Sequence, residues 1–130
     1  MAGMVSPALT LTRDRATKTV RAVATCRINF TKFELAAMED GVQFRLRAKL
    51  FGADRNGAGD LFTFTPHKIY PDATPDNVED ATFEETLGEE VLDEDFGVAV
   101  DEIFATFELF SQLTGGVVVD RSSPAVSGRA

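Results

Sequence analysis

Residues 42–51 read VQFRLRAKLF, and this stretch decides the fold. Apolar and polar side chains alternate along it with a period of two, which is the spacing of a β-strand with one face in the core and the other in solvent. The apolar side consists of Phe44, Leu46, Ala48 and Leu50, and the polar side of Gln43, Arg45, Arg47 and Lys49. Three cations therefore share the outer face of one strand.

Residues 20–30 show a similar alternation, with small and apolar residues at every second position. This pattern predicts a second half-buried strand, with Cys26 on its core side. Asp40 and Gly41 lie between the two strands, and an Asp-Gly pair supplies the positive φ that tight turns need. We therefore predict that residues 38–41 form the turn of a hairpin.

Further strands are predicted over residues 5–12, 60–65, 82–92, 101–110 and 117–119. The glutamates of residues 82–92 would also suit a helix, but Gly88 and the β-branched residues favour a strand. Seven or eight short strands separated by turn signals predict an all-β fold. The expected architecture is an antiparallel β-sandwich, C2-like or jelly-roll-like.

One domain is expected, because 130 residues with 44% hydrophobic content suit a single core. We assign residues 1–16 to an N-terminal arm or edge strand, residues 17–121 to the β-sandwich domain and residues 122–130 to an extended C-terminal tail. Cys26 is the single cysteine, which excludes an internal disulfide, and the sequence shows neither a secretory signal nor a membrane-spanning run. These features predict a cytoplasmic protein or a part of an assembled particle.

Charge divides the chain into two halves of opposite sign. Residues 1–55 sum to +5 and residues 56–130 to −13, which together give the net charge of −8. Opposite halves can attract each other within one fold, attract a neighbouring copy, or offer carboxylates to cations. Nucleic acid is disfavoured as a partner, because one short basic strand would have to overcome the repulsion between phosphates and the acidic half.

Residues 92–103 form the most acidic part of the sequence. Their pattern predicts the end of one strand, a loop and the start of the next strand. Crowded carboxylates repel one another unless a cation lies among them, and calcium accepts six to eight oxygen ligands from loops of this kind. The alternative is an ordinary solvated loop without a ligand. The sequence leaves both interpretations open.

Residues 83–86 and 91–103 resemble the later strands and a calcium loop of C2 domains, and residues 35–41 are similar to the first calcium loop of that family. The resemblance implies a β-sandwich that binds calcium and meets anionic lipid headgroups through a basic strand. The metal ligands that it implies are Asp40, with Glu39, from one loop and Asp93, Asp95 and Asp101 from the other. The basic strand that it implies carries Arg45, Arg47 and Lys49.

The same three cations also have a simpler explanation, which is cross-strand pairing with carboxylates such as Glu102 and Glu108. The alternative is binding of an anion or a partner. His67 is the single histidine, and no Ser or Cys nucleophile lies at a spacing typical of a catalytic pair. We therefore expect His67 to be a surface residue, and we expect the protein not to be an enzyme.

Two functional hypotheses follow from these patterns. The first is a non-catalytic interaction module that meets a protein or an anionic membrane surface through the basic strand, with no cofactor other than the calcium that the resemblance implies. The second is a structural subunit of a larger assembly, such as a virion or tail-like particle. In that case copies would self-associate head to tail through their opposite charges, and the outward aromatic residues Phe104 and Phe110 would be covered by a neighbour.

Overall fold

A computed structural model describes residues 3–14, 16–52, 62–69, 78–88, 102–112, 114–124 and 126–127. Within these residues the chain forms nine strands and one helix. In chain order they are β1 (Gly3–Asp14), β2 (Thr19–Asn29), α1 (Lys32–Glu39), β3 (Phe44–Gly52), β4 (Phe62–Thr63), β5 (His67–Ile69), β6 (Val78–Gly88), β7 (Glu102–Ser111), β8 (Gly116–Ser122) and β9 (Val126–Ser127).

The strands form two antiparallel sheets. The smaller sheet has the order β1-β2-β6, and the larger sheet has β3 and β7 at its centre. Strands β4 and β5 both pair with the outer edge of β3, while β8 and β9 both pair with the outer edge of β7. β4 and β5 together fill one position of the larger sheet, and β8 and β9 together fill another. The nine strands therefore occupy seven positions in the two sheets. The predicted all-β sandwich of seven to eight strands is confirmed.

The alternation along β3 has the predicted orientation. Phe44, Leu46 and Leu50 are buried between the sheets, whereas Arg45 is exposed and Arg47 is half-buried on the opposite face. β2 follows the same rule, and Cys26 lies in the core as expected. A period of two is therefore sufficient to assign the inner and outer faces of both strands.

Phe83 of β6 connects the two sheets. Its ring is 1% exposed and lies 6.2 Å from the ring of Phe107 on β7 and 5.7 Å from that of Phe64, measured between centroids. His67 of β5 stacks on it at 4.0 Å with the ring planes 15° apart. The expectation of a surface histidine is therefore wrong, because His67 is half-buried and lies against a core ring.

The predicted hairpin between β2 and β3 is wrong, because these strands belong to different sheets and α1 lies between them. Thr31 caps the helix: its hydroxyl accepts a hydrogen bond from the amide of Glu34 at 3.2 Å, and the Glu34 carboxylate accepts one from the amide of Thr31 at 2.9 Å. Such a capping box satisfies two backbone donors at the start of a helix. Gly41 has the predicted positive φ, at 98°, but it follows the end of a helix.

Both ends of the described chain take part in the sheets. β1 is an edge strand of the smaller sheet, and its register with β2 shifts between Val5 and Ala8, where Ser6 has a φ of 53°. At the other end, Ser123 exchanges hydrogen bonds with Ala105 of β7 at 2.8 and 2.9 Å. The predicted C-terminal tail thus contains β9, which pairs with β7.

Among the described residues, no helix has the length and the apolar character that crossing a membrane would require. The helix that is described, α1, has eight residues.

Replacing Phe83 with alanine should lower the free energy of unfolding by about 3–5 kcal/mol, because the change leaves a cavity where the two sheets meet. Chemical denaturation measures this loss. Phe33→Ala is the matched control, since the Phe33 side chain on α1 is 73% exposed, and its effect should stay within about 0.5 kcal/mol. Equal losses for the two variants would contradict the assignment of Phe83 as the contact between the sheets.

Candidate functional site

The basic strand β3 presents its cations on the outer face of the larger sheet. The register with β7 places Arg47 opposite Glu108, Arg45 opposite Phe110 and Lys49 opposite Thr106. Residues opposite each other in an antiparallel pair share a face, so each cation has a different neighbour. The three positions that look equivalent in the sequence are therefore chemically different.

Arg47 is already paired within the chain. Its Nε and Nη2 atoms donate to Oε1 of Glu108 at 3.1 and 2.9 Å, and its guanidinium lies 4.6 Å from the centroid of the Phe110 ring. The side chains of Arg47 and Glu108 are 33% and 24% exposed, so we expect about 0.5–1 kcal/mol from the ion pair. The pairing with Glu108 that the sequence suggested is present for this cation.

Arg45 is different, because it is exposed and forms no ion pair with the residues that the structure describes. Its cross-strand neighbours are Phe110 on β7 and Lys68 on β5, so neither register partner is acidic. Lys49 likewise lies opposite Thr106 and Thr63, and it forms no ion pair within the described ranges. Glu102, the other carboxylate suggested as a partner, lies opposite Ser127 of β9 instead.

Arg45 and Arg47 line an open groove of about 380 Å³ on this face. Phe110 and Pro66 supply its apolar surface, and Gln43 and Gln112 lie in its lining. The two glutamines are bonded to each other at the end of the groove. The backbone amide of Gln43 donates to the side-chain Oε1 of Gln112 at 3.0 Å, and the backbone amide of Gln112 donates to the backbone carbonyl of Gln43 at 2.9 Å. The groove thus combines cations, an aromatic ring and amide groups in one concave surface.

Two further arginines pair with acids on the smaller sheet. Arg21 contacts Glu84, with its Nε 2.8 Å from Oε1, and the Nε of Arg27 lies 2.7 Å from Oδ1 of Asp80. The hydrogen bond from Arg27, together with its charge, holds the pKa of Asp80 below its ordinary value. The basic and acidic halves of the sequence therefore meet within a single molecule at β2 and β6.

The residues of the predicted calcium site are only partly described. Asp40 is the C-cap residue of α1, and its amide donates to carbonyl groups of the last helical turn. Residues 35–39, which resemble a calcium loop in sequence, are helical instead. Asp93, Asp95 and Asp101 lie outside the described residues, within which no cluster of three or more potential metal ligands occurs. The calcium site stays a prediction.

The two side chains best suited to nucleophilic or acid–base chemistry do not line the groove. Cys26 is 4% exposed, and burial raises the pKa of its thiol from 9.0 to about 12, with the negative charge of Asp80 adding to the increase. His67 stacks on Phe83 as described above. Neither group has the exposed, cation-rich surroundings that activate a thiol or position a general base.

Sequence reasoning placed the arginines on one face, but it missed the groove itself. The sequence patterns single out neither Pro66 nor Gln112 as part of a site. The alternation of residues 101–110 does place Phe110 on the outer face of its strand. What the sequence does not contain is the register that brings Phe110 beside Arg45 and Arg47.

No protein-family model matches the sequence, and a search of curated proteins found no match either. Assignment of a function therefore depends on the groove and its chemistry.

The buried thiol gives a test of the core assignment by reactivity. Raising the pKa from 9.0 to about 12 lowers the thiolate fraction near neutral pH about a thousandfold, so Cys26 should react very slowly with a disulfide reagent in the native protein. In denaturant the reaction should become fast, and the absorbance of the released thiolate measures both rates. Equal rates in the two states would contradict a buried Cys26.

Proposed function

We propose that this protein is a non-catalytic interaction module that binds an acidic segment of a partner protein in the groove on the larger sheet. The observation that carries the proposal is Arg45, an exposed guanidinium in a concave site with no carboxylate partner among the described residues. A guanidinium presents N–H groups in a planar fork that matches a carboxylate, which makes Arg45 the primary contact for an acidic side chain.

A protein segment suits this site better than a membrane or a nucleic acid. The net charge of −8 opposes approach to an extended anionic surface. A groove of about 380 Å³ instead accommodates a short piece of chain, whose charge is local. Lys49 lies on the same face of β3, beyond Arg47, and adds positive potential along the path of such a segment.

The C2-like form of this proposal adds calcium at the acidic loops. It would use the ligands that the resemblance implies, Asp40 with Asp93, Asp95 and Asp101. Support for it comes from the sandwich fold and from the acidic residues 92–103, whereas the helical conformation of residues 35–39 does not match a ligand loop. The metal-independent form therefore has the better support.

Arg45→Glu should weaken the binding of a fluorescein-labelled oligoglutamate peptide about tenfold or more, because it replaces a charge-assisted hydrogen bond with repulsion. Fluorescence anisotropy at a fixed moderate salt concentration measures the affinity. Arg21→Glu is the matched control, since it changes the net charge equally but lies on the smaller sheet. It should change the affinity by less than about twofold. Equal losses would mean that general charge, and not the groove, holds the peptide.

A structural subunit that assembles head to tail is the second candidate. The charge split between residues 1–55 and 56–130 favours it. Part of that split is neutralised within each molecule, because Arg21, Arg27 and Arg47 each pair with an acid of the other half. The remaining cations include Arg45 and Lys49, so assembly would involve the same face of β3.

Assembly through opposite charges should depend strongly on salt. Light scattering should show particles larger than a monomer at about 20 mM salt and monomers at about 500 mM, because the Debye length falls from about 20 Å to about 4 Å and weakens the attraction between exposed charges. A monomer at the lower salt concentration would rule out this candidate and leave the interaction module unaffected.

A further inference from the structure

The two arginines of the groove offer different surfaces to a ligand. The N–H edge of Arg47 is directed at Glu108, since both its Nε and its Nη2 donate to Oε1. The central carbon of its guanidinium lies over the ring of Phe110, 4.6 Å from the ring centroid. With its Nε–Nη2 edge engaged and its side chain one-third exposed, Arg47 keeps part of a planar cationic group accessible. Arg45 has no such carboxylate among the described residues, so its N–H edge remains available.

A flat guanidinium face is a binding surface for an aromatic ring. Guanidinium groups stack on rings readily, and the guanidinium of Arg47 already lies over the ring of Phe110. The surroundings are also apolar, because Pro66 lines the groove and Val117, which lies opposite Phe110 on β8, is 43% exposed. A ring placed over Arg47 would therefore contact both a cation and an apolar rim.

The spacing of the two arginines sets the spacing of the ligand groups. Arg45 and Arg47 are two residues apart on one strand, and side chains at that separation lie about 7 Å apart on the same face. An extended peptide has the same repeat, so its residues two positions apart match the two arginines. The groove thus fits a carboxylate and an aromatic ring on alternate residues of an extended segment.

We propose that the groove recognises an extended peptide segment in which an acidic residue and an aromatic residue are two positions apart. Arg45 binds the carboxylate, and the face of Arg47 stacks on the ring. This inference rests on the proposed function and adds to it the identity of the second side chain. Glu108 is a positioning residue, because it accepts hydrogen bonds from Nε and Nη2 of Arg47 and so holds the guanidinium over Phe110.

Four capped peptides of otherwise serine composition test the motif by isothermal titration with the whole protein. The first carries Glu and Tyr two positions apart, the second has Ala in place of Tyr, the third has Gln in place of Glu, and the fourth has Glu and Tyr adjacent. The first should bind tightest, by about twofold to fivefold over the second and the fourth, which is the range expected of one exposed cation–ring contact. The third should bind weakest.

Two variants separate the roles of the arginines. Arg47→Lys keeps the charge but removes the planar guanidinium, so it should abolish the preference for the first peptide over the second. Glu108→Ala removes the acceptor of the Arg47 hydrogen bonds and frees its Nε and Nη2, so the Ala-containing acidic peptide should bind more tightly than it does to the native protein. Thermal unfolding of both variants checks that they remain folded.

The outcomes distinguish this inference from the proposed function. If the first, second and fourth peptides bind equally well, the aromatic part of the motif is wrong while acidic-segment binding stands. If the Gln-containing peptide binds as tightly as the first, or if no acidic peptide binds, the proposed function fails and the inference fails with it. Retained ring preference in Arg47→Lys would overturn the assignment of the stacking face.

Discussion

The antiparallel register between β3 and β7 is the constraint on which both the core and the groove depend. Nine residue pairs set it, from Phe44 opposite Ser111 to Gly52 opposite Ile103. A slip of one residue would turn the buried side of either strand outward, so burial of the apolar faces holds the register. The same register places Glu108 beside Arg47. The strand pairing that forms the core therefore also brings the groove residues together.

The parts of the fold that the sequence predicts are those with a local cause. The alternation of residues 42–51 assigns the faces of β3 because side chains of a strand alternate whatever their partner. The helix α1 lies where the sequence predicts a hairpin turn, because the Asp-Gly pair favours such a turn as strongly as the Thr31–Glu34 capping box favours a helix. Gly41 adopts the same positive φ in either structure, so its conformation cannot separate the two.

The site is harder to predict because its chemistry comes from distant parts of the chain. Arg47 and Glu108 are 61 residues apart in sequence, and only strand pairing brings them together. Arg45, Arg47 and Lys49 are equally spaced in the sequence. Their spacing does not show that Arg47 is neutralised while Arg45 is available. The acidic half of the sequence likewise suggested an external partner, whereas Glu84 and Asp80 pair with arginines of the neighbouring strand. Opposite charges of one chain pair with each other in preference to another molecule, because folding gives them a higher effective concentration than a separate partner has.

The irregularity in β1 bears on how another strand could pair with this edge of the smaller sheet. Pro7 has no amide hydrogen to donate, and the left-handed backbone at Ser6 interrupts the row of donors and acceptors along this border. The interruption between Val5 and Ala8 shortens the continuous stretch of this edge that another strand could pair with. Edge-to-edge pairing through β1 is therefore restricted to the run from Ala8 to Asp14.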